Sequence, residues 1–348
     1  MKTVGVCANL LSVHRKEKAE FTGTWESLFD ERGVKWEYVD CYDYNIIKNL
    51  KNYSAIVWHY SNFVNADLME AQNILNIAAK QGVKVFPDYN TGWHFDDKIA
   101  EMYAFEAVGA PIPESWVFYD LKKCLEWLKN EAEYPLVAKL RRGSGANNVK
   151  LLHNFSQANR YAKKMFSKGF SPMQSLVYKT YSKVQSTHDW KTFVKRFKRI
   201  PDFLWARRYG KGMPAERGYC YFQQFIENDG YDLKVVATNG KCSFLTRNVR
   251  KHDFRASGGG EICYDKALIN DRIVRSAFET ADALKMQCVG FDYVVDKKTG
   301  NGLIVEMCHG FDYDAIYQCG GYWDRELVWH DEPLNARVEI FEEMQLDR

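Results

Sequence analysis

Residues 289–308, VGFDYVVDKKTGNGLIVEMC, restrict the possible folds of this chain more than any other stretch. The turn signal Lys297-Lys298-Thr299-Gly300-Asn301 predicts a hairpin, and its register sets Asp292 opposite Glu306. Directly opposed residues share a face, so two like charges meet there at a cost in stability. The remaining positions are mostly apolar on both faces: Val294 and Ile304 with the acids, Phe291, Tyr293, Val305 and Met307 on the other side. Such a ribbon belongs in a sheet covered on both faces. Cys308 shares the face of Glu306 by strand periodicity. A divalent cation would turn the repulsion into attraction, and Mg²⁺ usually takes one or two carboxylates and leaves its other positions to water and phosphate. The alternative is a pair of exposed acids, or one protonated acid sharing a hydrogen bond.

A chain of 348 residues exceeds one average core, so two or three domains are expected. Apolar content of 46% with 15% aromatics argues against disorder. Lys plus Arg 48 against Asp plus Glu 45 leaves +3, which excludes a general attraction to nucleic acid or membrane. The nine cysteines form no C-x-x-C pair and no zinc spacing, and their scatter fits free thiols in a reducing cytosol. The start, MKTVGVCANLLSVHRK, reads as a first strand, Thr3–Ala8, better than as a signal peptide, and no run approaches a membrane span. A soluble cytoplasmic chain is expected.

Strand signals at Thr3–Ala8, Val34–Val39, Ala55–His59 and Val83–Phe86, with a helix at Asp67–Lys80, give the βα alternation of an open parallel sheet. No G-x-G-x-x-G follows the first strand, so this is a structural Rossmann-like domain. Residues 96–116 predict a helix that stops at Gly109 and exits through two prolines, with a domain boundary near residue 110. A helix (120–131), strands at 136–140 and 149–152 and a helix at 156–167 follow. YFQQFI (221–226) and a hairpin about Asn239-Gly240 (231–249) come next, then a helix at 267–286 and a last one at 334–345. The whole is α/β (α+β).

Between Lys179 and Arg217 eleven Lys/Arg stand against three Asp/Glu, interleaved with Trp190, Phe193, Phe197, Phe203, Trp205 and Tyr209. Such an insert suits an anionic or sugar-bearing substrate, an amphipathic lid or, as the weaker reading, nucleic acid. In PLVAKLRRGSGANNVKLL (135–152), Lys139 ends a buried strand and Gly143-Ser144-Gly145-Ala146 follows. Small residues let backbone N–H groups approach phosphate while the lysine supplies a point charge, although the spacing is not that of a P-loop. Arg247, Arg250 and Arg255 precede Ser257-Gly258-Gly259-Gly260. Register about Asn239-Gly240 sets Arg247 opposite Asp232, so it is either a cross-strand ion pair or a guanidinium aimed at phosphate.

Taken in order, Lys98, Lys139 with its glycine loop, YFQQFI, Asp232, Arg247, Asp292 and Glu306 resemble the ATP-grasp superfamily. Its members include D-alanine–D-alanine ligase, glutathione synthetase and the ribosomal-protein glutamate ligases. The resemblance implies a Rossmann-like preATP-grasp domain (1–110) and a central ATP-grasp subdomain (111–222) that carries the phosphate loop and the insert (170–217). A C-terminal subdomain (223–348) would carry the metal hairpin. It implies that Lys98, Lys139 and Gly143–Ala146 contact ATP phosphates, and that adenine lies along Gln224, Phe225 and Ile226, within reach of Gln223. Asp232 would hold the ribose, with Glu227 as fallback, and Asp292 and Glu306 would ligate Mg²⁺. Arg247, Arg255 and Lys139 would stabilise the γ-phosphate and an acyl-phosphate intermediate.

The implied activity is a carboxylate–amine ligase that converts ATP to ADP and phosphate and acts on small-molecule or polymer-linked substrates. Homodimers are common in the family. One departure stands out: the last metal position is normally Asn in E-x-N and here is Cys308, a soft and doubtful ligand for magnesium. Three readings stay open: Cys308 only packs, His309 or Asp312 substitutes for it, or catalysis is lost. A nucleotide-binding module without turnover is therefore the alternative function, and an RNA-associated protein the less favoured one.

Overall fold

The structure, a computed structural model, describes residues 3–8, 23–62, 64–143, 148–171, 214–248 and 261–346. Three sheets follow one another along the chain. The first is parallel, ordered β2-β1-β3-β4 from β1 (Thr3–Cys7), β2 (Trp36–Val39), β3 (Tyr53–Trp58) and β4 (Lys84–Phe86). Alternate residues of β3 enter different cores: Ala55 and Val57 one, Ile56 and Trp58 the other. Both faces are covered, as parallel sheets require. α1 (Gly23–Glu31), which sequence reading did not assign, adds Trp25 and Phe29 to the first of these cores, and α2 (Asn65–Lys80) covers the second.

One sequence expectation fails in this sheet. Cys7 and Cys41 are joined as a disulfide, with Cα atoms 6.2 Å apart. Spacing along the chain hid the pair, because parallel pairing of Cys7 with Val39 is what brings residue 41 within reach. The other described cysteines are free.

α3 (Lys98–Val108) leaves the first sheet. Asp97 caps it by accepting from Ala100 N, and Gly109 closes it at φ 67°, a conformation glycine adopts without a Cβ clash. The second sheet is antiparallel, ordered β5-β8-β6-β7 from β5 (Ser115–Phe118), β6 (Leu136–Lys139), β7 (Lys150–Leu152) and β8 (Cys220–Gln224). Sequence reading left β5 as a proline-flanked exit; its order comes from pairing with β8, far along the chain. Leu136, Ala138 and Phe222 pack beneath α4 (Leu121–Asn130) and α5 (Phe155–Met165). By strand alternation Lys139, Tyr221 and Gln223 occupy the opposite face.

The third sheet has the order β13-β12-β9-β10-β14-β15, with β11 also on β10. Its strands are β9 (Tyr231–Thr238), β10 (Lys241–Asn248), β11 (Ile262–Cys263), β12 (Cys288–Val295), β13 (Gly302–Cys308), β14 (Tyr322–Trp323) and β15 (Trp329–His330). Asn239 and Gly240, both at positive φ, make the predicted turn. α6 (Asp271–Ala283) packs Ile273, Val274 and Ala277 against Leu233, Val235, Phe291 and Tyr293. On the other face Val236, Leu245 and Cys288 join the core of the first sheet, closed by α7 (Tyr313–Tyr317) and α8 (Ala336–Glu343).

The predicted hairpin is present, with Asp292 paired to Glu306. A bulge at Val305 then resets the ladder, so Ile304 pairs with Tyr293 and joins the apolar face rather than the acid one. Turn counting assumes a regular ladder and could not place this inserted residue.

Ser144, Gly145, Ala146, Arg250, Arg255, Ser257–Gly260 and the basic aromatic residues named between 179 and 211 lie outside the described residues. The ends of the insert meet in an antiparallel bridge between Phe170 and Glu216. Among the described residues no helix is long and apolar enough to cross a membrane.

Candidate functional site

Strand register places six side chains on one face of the third sheet: Asp232 and Lys234 on β9, Arg247 on β10, Asp292 on β12, Glu306 and Cys308 on β13. Arg247 grips Asp232 through two hydrogen bonds, at 2.8 and 2.9 Å, and its Nη2 lies 3.1 Å from Asp292 Oδ1. Lys234, directly across the ladder from Asp292, places Nζ 2.5 Å from the same oxygen. Asp292 therefore faces two cations as well as Glu306. Burial alone would raise its pKa; Arg247 and Lys234 reverse this and hold the carboxyl below its ordinary value. At Asp232 burial prevails over Arg247, and the pKa is raised to about 6.

Lys234 escaped sequence reading because the β9–β12 pairing joins strands about fifty residues apart, which no local turn reveals.

Two lysines arrive from other elements. Lys98, at the head of α3 and only 5% exposed, donates to Gly143 O at 2.7 Å and to Glu306 Oε1 at 3.1 Å. Burial would depress its pKa, but Glu306, Glu101 and Asp96 together raise it, so it stays charged. Lys139, at the end of β6, donates to the bulge carbonyl of Val305 at 3.1 Å. Burial, with Glu306 opposing it and Lys98 reinforcing it, lowers this lysine to about 8. The second and third sheets thus meet at the acidic hairpin.

Behind them Glu101, one helical turn after Lys98, accepts from Met307 N at 3.1 Å. Burial first, then Glu306, raises its pKa well above the ordinary value. Asp96 accepts from Gly143 N at 3.0 Å, so this short segment holds both backbone groups of Gly143. Glu101 was missed in the sequence, although its i, i+3 spacing from Lys98 was a usable signal.

Of the residues singled out in sequence, Lys98, Lys139, Gly143, Asp232, Arg247, Asp292, Glu306 and Cys308 are brought together. Gln223 is buried on the face of Lys139 and donates to Ser115 Oγ at 3.1 Å and Tyr221 OH at 3.3 Å. Gln224, Phe225, Ile226 and Glu227 run from the end of β8 toward β9, with Glu227 O accepting from Lys297 N. Ser144, Gly145, Ala146 and Arg255 fall outside the described residues.

The donor set at the hairpin suits a hard dication in part. Asp292 and Glu306 supply two carboxylates on one face, the usual protein share for Mg²⁺. Cys308 does not add to them: burial pushes its thiol up to about 12, and Sγ accepts from Gly310 N at 3.1 Å. Asp312 is committed to capping α7 through Asp314 N and Ala315 N, and His309 packs its ring 4.7 Å from Phe95. Among the described residues no three His, Cys, Asp or Glu side chains converge as a metal cluster.

No family model and no curated protein matches the sequence. Solved structures do match the fold. A RimK-domain ATP-grasp protein from Sphaerobacter thermophilus aligns over 98% of both chains at 14% identity and TM-score 0.54. D-alanine–D-alanine ligase from Bacillus anthracis, complexed with ATP, aligns over 89% of this chain and 86% of its own at 12% identity and TM-score 0.53. The ATP-grasp ligase PsnB, complexed with a minimal precursor, Mg and ADP, aligns over 99% and 98% at 10% identity and TM-score 0.54. These likenesses show that the chain has the ATP-grasp fold.

Proposed function

We propose that this protein is an ATP-dependent, Mg²⁺-assisted ligase that joins a carboxylate to an amine through an acyl-phosphate. The observation that carries the reading is the convergence of Lys98 and Lys139, from two separate elements, on the hairpin that bears Asp292 and Glu306. Structural neighbours complexed with ATP, or with Mg and ADP, support the same cofactors. Phosphoryl transfer shifts negative charge between oxygens, so it needs fixed cations and backbone dipoles rather than a protein nucleophile.

In this reading Lys98 and Lys139 hold phosphate oxygens, and Asp96 keeps the Gly143 turn in place. Arg247 would turn from Asp232 and Asp292 toward the transferred phosphoryl group. Asp292 and Glu306 would hold Mg²⁺, which when bound neutralises phosphate charge. Gln223 to Glu227 would line the base and ribose end, and residues 1–110, 111–222 and 223–348 would be the three functional units.

The test is Mg²⁺-dependent conversion of ATP to ADP in the presence of mixed carboxylates and amines. Glu306→Ala should lower it by about a hundredfold or more, the scale seen when one transition-state contact is removed. Turnover equal to wild type in that variant sinks the assignment. The neutral thiol of Cys308 favours a second reading, nucleotide binding without turnover. Its mark would be thermal stabilisation by MgATP with no ADP formed, and a gain of activity in Cys308→Asn.

A further inference from the structure

The two carboxylates of the acidic hairpin already have partners, and the partners are not equivalent. Asp292 Oδ1 receives two cations at once, Lys234 Nζ at 2.5 Å and Arg247 Nη2 at 3.1 Å. Glu306 Oε1 receives Lys98 Nζ at 3.1 Å. Both Lys234 and Asp292 are largely buried, so water and salt screen their contact little. Three protein cations thus stand at the carboxylates that would hold a dication.

What each cation has besides that contact differs. Arg247 keeps two hydrogen bonds to Asp232, at 2.8 and 2.9 Å, if it gives up Asp292. Lys98 keeps the carbonyl of Gly143, at 2.7 Å. Lys234, directly across the ladder from Asp292, has its one ion pair there among the described residues. Asp232, two residues away on the same face, is close enough to act on Lys234, but both of its oxygens are taken by Arg247. A cation with a second anchor can yield a carboxylate oxygen and stay in place, whereas Lys234 must leave altogether. Like charges close together disfavour each other, the more so where water is scarce. Lys234 and a dication therefore compete for Asp292.

We propose that Lys234 is a built-in counter-cation that holds the metal's place at Asp292 and gives way to it. The inference rests on the metal hairpin of the ligase reading and deepens it by stating how that site is loaded. Lys234 and Arg247 oppose the entry of Mg²⁺ alone. The phosphates of a nucleotide supply the negative charge toward which the displaced ammonium turns, so metal and nucleotide enter together. In the absence of nucleotide, Lys234 keeps the hairpin closed to free dications.

Titration of the full chain with Mn²⁺, read by the EPR signal of the free ion with and without ADP, tests this. Uptake by ADP itself is subtracted from a titration without protein. Wild type should bind Mn²⁺ weakly alone and tightly with ADP. Lys234→Met and Lys234→Gln should bind Mn²⁺ alone about tenfold or more tightly than wild type, the effect one nearby charge has on ion binding. Lys234→Arg, which keeps the charge, should behave as wild type. The gain should vanish when Glu306→Gln is added to either neutral variant, and one of the two suffices if the other does not fold. Wild type that binds Mn²⁺ alone as tightly as the neutral variants overturns the proposal. So does a gain that survives Glu306→Gln, which would place the ion elsewhere. ADP-dependent binding in wild type with no gain in the variants removes this inference and leaves the metal hairpin standing. No binding in any variant, with or without ADP, removes both.

Discussion

The ionic face around Asp292 and the buried imidazoles of His59 and His309, the latter just past the end of β13, treat burial in opposite ways. In the first, charges are kept and matched: Arg247 with Asp232 and Asp292, Lys234 with Asp292, Lys98 with Glu306. In the second, burial leaves the imidazoles of His59 and His309 uncharged. A matched network makes each member necessary to its neighbours, because removing one leaves another charge stranded in a poorly solvating medium. A neutral cluster has no such dependence, because losing one ring strands no charge.

The largest expected effect follows from that dependence. Arg247→Met leaves Asp232 and Asp292 side by side with one cation fewer, and should destabilise the protein by about 3–5 kcal/mol in denaturant unfolding. A loss below about 1 kcal/mol would mean that the pairs are not mutually dependent, and the contrast would fail. Next comes Glu101→Leu, which strands the N–H of Met307 and should remove about 1–3 kcal/mol, while Glu101→Gln, able to accept the same bond, should restore most of it. Equal losses in the two variants would show that charge, not the hydrogen bond, is what Glu101 supplies.

The smallest effects are titrations. Burial, opposed by Lys98, raises Asp96 from 3.8 to about 6. A carboxylate whose folded pKa is raised makes the native state bind more protons than the unfolded chain, so its contribution falls as pH rises from 4 to 6. Asp96→Asn should thus gain stability relative to wild type across that window; a constant difference would refute the shift. Burial holds His59 near 3 and His94, a buried histidine that acts on His309, near 4, so the carbon-bound ring protons of both should show no titration between pH 5 and 8 by NMR. A midpoint near 6.5 would place those rings in water.

How much of this was legible in the sequence depended on the reach of each signal. The Asn239-Gly240 turn fixed one hairpin register and with it the Asp232–Arg247 pair, because a tight turn determines which residues face each other. Beside the Lys297–Asn301 turn the ladder runs one residue off the expected register, and the bulge at Val305 is what brings Asp292 opposite Glu306. The helix end at Gly109 was legible for a similarly local reason. Lys234 against Asp292, the Cys7–Cys41 disulfide and strand β5 were not, since each arises where distant segments pair. His59 and His309 carried no local pattern at all; a histidine beside a strand end is ordinary until the other sheet closes over it.

The bulge at Val305 has a consequence for how this strand tolerates change in length. The ladder is intact on both sides of it, with Ile304 on Tyr293 and Glu306 on Asp292. Deleting that single residue would leave every side chain of the ribbon pointing as before and withdraw only the carbonyl that receives Lys139. Elsewhere in the hairpin, dropping one residue would turn the strand inside out. Gene length at this spot is therefore a dial on one lysine, set apart from the architecture around it.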